Sequence, residues 1–260
     1  MSAAPSSRYH TLDALRGLCV VSMVLYHAMY DLVAVKGYPV SWYFDVPGQI
    51  WQLSICCTFI LLSGACWNLS RRHLQRGLLL VGCGGLITLV TALVLPSEVI
   101  WFGILVLLGL SCLLADGLQR LGKRLHLTIP PVVGLAVCFL LFLIAWGVPR
   151  GYLGLGGLRL VPLPGELYST PWLAVLGFPS PSFVSSDYFP LLPWAFLYGT
   201  GVFLGQALFA RPKAQPLLQG RPLAENRWAR PLLFIGRHSL LIYLLHQPVL
   251  MGVFLLVPNA

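Results

Sequence analysis

An all-α, polytopic transmembrane helical bundle is the fold class that this sequence predicts, and three observations lead to it. Hydrophobic residues make up 57% of the 260 and charged residues only 10%, whereas a soluble domain carries about a quarter charged residues. The apolar residues form long runs, and the basic residues lie in short clusters between them. This charge pattern indicates membrane topology, and we expect no nucleic-acid partner despite the net charge of +9.

Seven apolar runs are long enough to cross a bilayer, which needs about 20 such residues in a helix. In chain order they are Leu12–Val33, Ile50–Leu69, Gly77–Leu95, Val99–Leu118, Ile129–Val148, Tyr188–Ala210 and Leu232–Val257. The first run is too long for the apolar core of a signal peptide, about 7–15 residues, so we expect it to be an uncleaved helix. The lipid bilayer is therefore the first partner that the sequence predicts.

The connections between the runs predict the orientation. With seven helices, 14 of the 17 Lys and Arg residues fall on one side of the membrane. The positive-inside rule places that side in the cytosol, with the N-terminus cytosolic and the C-terminus external. We expect a single domain over residues 1–260, with a long external loop at 149–187 that is rich in Pro and Gly. An apolar stretch in this loop, 168–178, is too short to span and belongs either to a lid or to a plain surface loop.

Cysteine and histidine spacing predicts neither disulfides nor a metal site. The seven Cys residues are odd in number and lie within or beside apolar runs, which is typical of small packing residues. No spacing of His and Cys resembles that of a zinc site. We therefore predict no bound metal.

Ionisable residues in the first helix mark a candidate site. An ionisable side chain within a membrane costs about 3 kcal/mol and usually faces a cavity or a partner. Arg16 and His27 are 11 residues apart, which puts them on one face of a helix and about 16 Å apart along its axis. Asp31 lies one turn beyond His27 and is placed to hydrogen-bond it at i,i+4. Asp13 has the position of a helix-start residue.

Purely structural roles remain open for each of these residues. His27 would then bond a neighbouring helix, Arg16 would extend to the cytosolic headgroups, and Asp31 would face external water. The last helix repeats the arrangement, because Arg237 lies near its cytosolic end and His246 reaches nearly the depth of His27. Such a pattern suits an anionic molecule that enters from the cytosol and reaches the outer half with its reactive end.

Two further features lie outside these helices. Arg71 and Arg72 follow the second helix and add to the cytosolic basic residues. Asp187 precedes the sixth helix, where we expect its side chain to cap that helix.

The segment LDALRG at 12–17, followed by His27, resembles the opening of integral membrane acyltransferases. The acyltransferase-3 type carries an Arg, ten residues and a His in its first helix, and Arg16 and His27 have that spacing. More closely, the chain resembles the bacterial relatives of the heparan-alpha-glucosaminide N-acetyltransferase catalytic domain. The matching segments are LDALRGLCVVSMVLYHAMYDL at 12–32, WFGILVLLGLS at 101–111, DYFPLLPWAFLYGTGVFLG at 187–205 and GRHSLLIYLLHQPVL at 236–250.

This resemblance implies transfer of an acyl group, expected to be acetyl, from cytosolic acyl-coenzyme A to a sugar or glycan acceptor in a bacterial inner (plasma) membrane. In the lysosomal relative the catalytic His lies in the loop after the first helix, but residues 34–49 here contain no His. The matching position is the acyltransferase-3 histidine, His27.

For such an activity we expect the following roles for the candidate residues. The coenzyme A phosphates would contact a set of four arginines, namely Arg16, Arg237, Arg71 and Arg72. His27 would act as a general base, oriented by Asp31 or His246, or would itself carry the acyl group. Two other classes of function remain open: a transporter or proton relay that uses the intramembrane His and Asp residues, and a non-catalytic membrane scaffold. The acceptor and the oligomeric state are also open, and a homodimer is compatible with the sequence.

Overall fold

The protein is described here by a computed structural model that covers residues 8–155 and 157–258. Residues 1–7, 156, 259 and 260 of the predicted 1–260 domain lie outside the described part. The α-helices are α1 His10–Tyr30, α2 Val46–Trp67, α3 His73–Val94, α4 Ile104–Arg124, α5 Pro131–Ala145, α6 Leu191–Phe209, α7 Gln215–Gln219, α8 Arg221–Glu225, α9 Arg230–Arg237 and α10 Ser239–Phe254.

Six helices in the described part of the chain are long and apolar enough to cross a membrane. The first of them extends through a π-helical turn, Asp31–Val35, which continues α1. The prediction of an all-α polytopic membrane protein is confirmed by these helices and by the near absence of strands.

The seventh predicted run differs from its expected form. Instead of one helix over Leu232–Val257, the structure has α9 and the 16-residue α10, with the break at His238. His238 leaves the helical region, with φ −104° and ψ 22°. The polar residues 236–239, which include Gly and Ser, give the helix little support at this point.

The long helices α4 and α6 begin later than predicted, because the residues before them bond to each other. Ser185 Oγ accepts from the Trp101 amide at 2.9 Å, and the Phe189 amide donates to the Phe102 carbonyl at 2.9 Å. The expected cap of α6 by Asp187 is wrong. The Asp187 carboxylate instead accepts the backbone amide of Ile104, at the start of α4.

The described residues form two compact units. The first consists of two chain segments, the residues up to Leu62 and the residues from Leu208 onward. In this unit α1 and α9 approach each other closely at Gly17 and Gly236. A Cβ at Gly17 would collide with the Leu232 carbonyl oxygen, and one at Gly236 with the Asp13 carbonyl oxygen. Small residues at membrane helix contacts permit such backbone approach. The two glycines therefore bring the polar ends of both helices together.

Polar and aromatic side chains hold the start of α2 in the same unit. Trp51 Nε1 donates to Ser22 Oγ at 2.8 Å. The Tyr43 hydroxyl, on a residue only 2% exposed, donates to the Tyr26 carbonyl at 3.1 Å. These bonds hold Tyr43 and the start of α2 against the C-terminal half of α1.

The second unit, Ser63–Ala207, contains α3, α4, α5 and the long loop. The loop forms an antiparallel hairpin, β1 Tyr152–Leu155 and β2 Leu158–Pro162, followed by 3₁₀ turns at Gly165–Tyr168 and Pro171–Leu176. The short apolar stretch 168–178 packs within this unit, where the fully buried Ala174 accepts from the Tyr188 hydroxyl at 2.5 Å. The lid role stays a prediction.

Candidate active site

Two histidines meet where α1 and α10 pack against each other in the first unit. The ring centroids of His27 and His246 are 4.8 Å apart, with 66° between the ring planes. His246 Nδ1 lies 2.6 Å from the Tyr243 carbonyl oxygen. Because a carbonyl only accepts, Nδ1 carries a proton, and the neutral imidazole keeps its lone pair at Nε2. That Nε2 atom is buried, and no group in residues 8–155 and 157–258 bonds it.

A second pair lies one turn along α1. Gln247 Nε2 donates to both carboxylate oxygens of Asp31, at 2.9 Å and 3.3 Å. Among the described residues the side-chain hydrogen bonds to the Asp31 carboxylate come from Gln247 and none comes from His27, so the expected i,i+4 bond is wrong. The side chain of Asp31, which is 3% exposed as a residue, takes its hydrogen bonds from the facing helix, where an amide donor is available.

The structure adds Gln247 to the candidate site, a residue that the sequence analysis did not single out. Its amide nitrogen bonds Asp31, so its Oε1 points elsewhere, is buried and has no partner in the described part of the chain. An uncharged amide gives a weaker signal in an apolar run than an ionisable group. The signal in the sequence that could have identified it is its position directly after His246, in a helix with few polar residues.

An arginine cluster lies at the other end of α1, where α1 meets α9. The carboxylate of Asp13, a residue 8% exposed, lies 3.2 Å from Arg8 Nε, 3.4 Å from Arg16 Nη1 and 3.4 Å from Arg237 Nε. Arg237 Nη2 also lies 3.3 Å from His10 Nδ1. Asp13 is therefore more than a helix-start residue, because it holds together three guanidinium groups, one from α1, one from α9 and one from the residues before α1.

This cluster has an excess of positive charge, since a single carboxylate faces three arginines. The side chains of Arg8, Arg16 and Arg237 keep 58%, 23% and 33% exposure, which leaves them accessible to an anion. Arg71 and Arg72 belong to the second unit, where both are exposed and lie just before α3. Their role in binding stays a prediction.

The helices of the first unit connect the two groups of polar residues. Residues 13–17 of α1 meet α9, whereas residues 27–31 meet α10, so α1 runs in the same direction as the α9–α10 segment. The arginine cluster and the histidine pair are therefore separated by about 16 Å along α1. A long ligand with an anionic head and a reactive tail matches this separation.

Outside the spanning helices, burial shifts the pKa of several groups in the second unit. Burial raises the pKa of Asp187 to about 6, and the bond from the Ile104 amide opposes that rise. Burial likewise raises the pKa of Tyr188, beside Tyr168. Phe102, whose carbonyl pairs with this segment, has a φ of 55°, which is rare for a bulky residue. The segment before α6 is thus tightly constrained.

In residues 8–155 and 157–258 no group of three His, Cys, Asp or Glu side chains is placed to hold a metal ion. All seven cysteines are free thiols.

Comparison with known proteins bears on the family to which the chain belongs. Neither the curated proteins nor the solved structures gave a match. The family described as heparan-alpha-glucosaminide N-acetyltransferase, catalytic, matches residues 8–248, a range that includes the histidine pair, Asp31, Gln247 and the arginine cluster. Because the match covers nearly the whole chain, this protein belongs to the heparan-alpha-glucosaminide N-acetyltransferase catalytic family, whose name implies an acetyltransferase-type enzyme.

Proposed function

We propose that the protein is an integral membrane acyltransferase of a bacterial inner membrane that moves an acetyl group from cytosolic acetyl-coenzyme A to a sugar or glycan acceptor. The observation that carries this proposal is the contact between the His27 and His246 rings, whose centroids are 4.8 Å apart, together with the arginine cluster at the opposite end of α1, where α1 meets α9. Family membership supports acetyl as the transferred group. The distribution of Lys and Arg residues supports a donor that binds from the cytosol.

The arginine cluster is the proposed docking point for the phosphates of coenzyme A. Arg16 and Arg237 supply planar guanidinium groups, which suit phosphate because they donate two parallel hydrogen bonds. Asp13 neutralises one positive charge and fixes both side chains, so net positive charge remains for the ligand. Arg71 and Arg72 add positive charge on the same predicted side of the membrane. The pantetheine arm would then extend along α1 toward His27.

His27 is the proposed general base. It accepts the proton of an acceptor hydroxyl or amine as the acceptor heteroatom forms a bond to the acetyl carbon. The carbon–sulfur bond breaks, coenzyme A leaves as the thiolate, and His27 returns the proton to that sulfur. His246 orients the His27 ring through their contact. Asp31, one turn beyond His27, holds the side chain of Gln247, which directly follows His246 on α10.

An acetyl-His27 intermediate is the second route for the same residues. In that route His27 attacks the thioester first and the acceptor then attacks the acetyl-imidazole. Rapid quenching of protein with ¹⁴C-acetyl-coenzyme A in the absence of acceptor separates the routes. Label bound to wild-type protein and missing from His27→Ala supports the intermediate, whereas no bound label supports direct transfer.

Binding and turnover of acetyl-coenzyme A test the proposal. Saturating acetyl-coenzyme A should raise the unfolding midpoint of the purified protein, because a ligand that binds only the folded state stabilises it. Inverted membrane vesicles should release coenzyme A with an acceptor present, and mass spectrometry of envelope glycans should show an acetyl mass that is lost without the gene. Absence of both stabilisation and release would contradict the proposal and favour a transporter or proton relay. Unchanged function in His27→Ala and Arg16→Ala would favour a non-catalytic scaffold.

A further inference from the structure

A second concentration of exposed positive charge lies in residues 211–230, the segment of the first unit that leads into α9. Its sequence has one acidic residue, Glu225, and five basic residues, all of them exposed: Arg211, Lys213, Arg221, Arg227 and Arg230. In the described part of the chain, none of the five takes part in an ion pair. Their positive charge is therefore available to a partner.

Two large apolar side chains are exposed in the same segment. Trp228 is 78% exposed and Leu217 is 76% exposed. The local fold holds Trp228 in this position, because its amide donates to Asn226 Oδ1 at 2.9 Å in a 3₁₀ turn. The guanidinium carbon of Arg227 lies 4.9 Å from the centroid of the Trp228 ring. The exposed indole and its arginine therefore form one fixed unit that is apolar and positively charged at once.

Hydrogen bonds fix this segment beside the start of α1. The Thr11 hydroxyl donates to the Leu217 carbonyl, and the Tyr9 hydroxyl donates to Gln215 Oε1 at 3.1 Å. The first apolar span of the chain begins at His10. Because the first turn of a spanning helix lies at the boundary between lipid and water, these bonds hold the segment at the level of the lipid headgroups.

An anionic lipid is the ligand that this combination of side chains fits. Clusters of four to eight Lys and Arg residues next to a spanning helix attract anionic headgroups. An exposed indole favours the headgroup level, because its ring is apolar and its N–H group still finds a polar partner there. A soluble phosphate or nucleotide would pair with the guanidinium groups and leave Leu217 in water. A lipid supplies the anion and the apolar boundary together.

We propose that residues 211–230 form a binding surface for anionic phospholipids in the leaflet at the N-terminal end of α1. Arg227 and Arg230 pair with the headgroup phosphates, and Trp228 and Leu217 lie at the boundary between headgroups and acyl chains. The surface shares no residue with the arginine cluster, so it goes beyond the proposed function and does not depend on it. Because α9 begins at Arg230, bound lipid also fixes the level of α9 at the membrane surface.

Lipid binding by the purified full-length protein in detergent tests this surface. The readout is the rise of the unfolding midpoint with dioleoylphosphatidylglycerol, which is anionic, and with dioleoylphosphatidylcholine, which is zwitterionic. The variant is Arg227→Gln/Arg230→Gln. The matched control is Arg150→Gln/Arg159→Gln, which removes the same charge from two exposed residues of the long loop in the second unit.

We expect the anionic lipid to stabilise wild type and the control alike, and more than the zwitterionic lipid does. Its affinity for Arg227→Gln/Arg230→Gln should fall about tenfold or more, as the loss of two charges at a membrane surface predicts. Added salt should weaken its binding to wild type, because salt screens exposed charges. Acetyl-coenzyme A should stabilise the variant and wild type equally.

The fluorescence of Trp228 gives a second readout, in phosphatidylglycerol vesicles with or without brominated acyl chains. The chain has eight Trp residues, so the emission of Trp228 is the difference between wild type and Trp228→Phe. Bromine quenches an indole that it contacts. We therefore expect this difference to be smaller in brominated vesicles than in unbrominated ones.

Equal stabilisation of wild type by the two lipids would overturn the proposal, as would equal binding of the anionic lipid by wild type and Arg227→Gln/Arg230→Gln. A parallel loss of acetyl-coenzyme A binding in that variant would assign the segment to the acyl donor instead. An equal Trp228 emission in both kinds of vesicle would place the indole in water and leave the segment to a soluble acidic partner. If acetyl-coenzyme A fails to stabilise wild type while the lipid results hold, the acyltransferase proposal fails and the lipid surface stands.

Discussion

The imidazole rings of His27 and His246 lie edge to face, 4.8 Å apart, although 219 residues separate them along the chain. The packing of α1 against α10 brings them together. At the opposite end of α1, the close contact of Gly17 with the backbone of α9 gathers the arginine cluster. The contacts of α1 with α10 and with α9 thus set the two ends of the proposed active site.

Removing His246 should slow acetyl transfer less than removing His27, because we assign proton transfer to His27 and only the orientation of its ring to His246. A general base contributes about 10²–10⁴-fold to the rate. We expect the double variant His27→Ala/His246→Ala to be no slower than His27→Ala alone, since residues that act as a unit are not additive. Coenzyme A release measures these rates, with the exposed His126→Ala of the second unit as control. Strictly additive losses would show that the two rings act independently.

Arg16→Gln and Arg237→Gln should each raise the KM for acetyl-coenzyme A by about tenfold or more, the effect of losing a charge-assisted hydrogen bond. The KM for acetyl-pantetheine, which lacks the nucleotide and its phosphates, should not change. Each variant leaves Asp13 paired with two other arginines, so the fold should survive.

The exposed Arg124, at the end of α4, provides the control substitution Arg124→Gln for this experiment. If the KM for acetyl-pantetheine also rises in the Arg16 and Arg237 variants, these arginines do not act through the phosphates. If the KM for acetyl-coenzyme A rises equally in Arg124→Gln, the effect comes from the net charge of the protein rather than from the arginine cluster.

Gly17→Ala should destabilise the protein by about 1–3 kcal/mol, because a methyl group there overlaps the Leu232 carbonyl oxygen and forces α1 and α9 apart. It should also weaken acetyl-coenzyme A binding, since the arginine cluster depends on that contact. Thermal unfolding in detergent measures the first effect. Gly252→Ala on α10 is the matched control, because nothing lies within 4 Å of its Cβ position. A neutral Gly17→Ala would contradict the close packing of the two helices.

The raised pKa of Asp187 predicts a pH dependence of stability. The folded state holds the Asp187 proton up to about pH 6, whereas the ordinary pKa is 3.8. The folded state therefore binds more protons between these values, and stability falls as the pH rises through this window. Asp187→Asn should flatten that fall, because an amide stays neutral and its oxygen still accepts the Ile104 amide. The unfolding midpoint, measured between pH 4 and pH 7, reports this fall in stability. Asp45→Asn is the control, because Asp45 is exposed. An equal slope in wild type and Asp187→Asn would contradict the assignment.

Hydropathy and spacing were sufficient to predict the helical class and to single out His27 and His246, because ionisable residues within apolar runs are rare. They were not sufficient to find Gln247, whose amide is uncharged, or to find the partner of Asp31. Side-chain pairing between α1 and α10 depends on how two helices far apart in sequence pack against each other, which periodicity does not reveal. The break at His238 was missed because a hydropathy window averages over residues 236–239.

The most direct test of the central claim follows a labelled acetyl group across the reaction. Inverted vesicles with wild-type or His27→Ala protein receive deuterated acetyl-coenzyme A, and mass spectrometry then measures deuterated acetyl groups on envelope glycans. We predict labelled glycan with wild type, and at least a hundredfold less with His27→Ala at equal protein level and equal acetyl-coenzyme A binding. Equal labelling by the two proteins would contradict the role of His27 and the mechanism built on it.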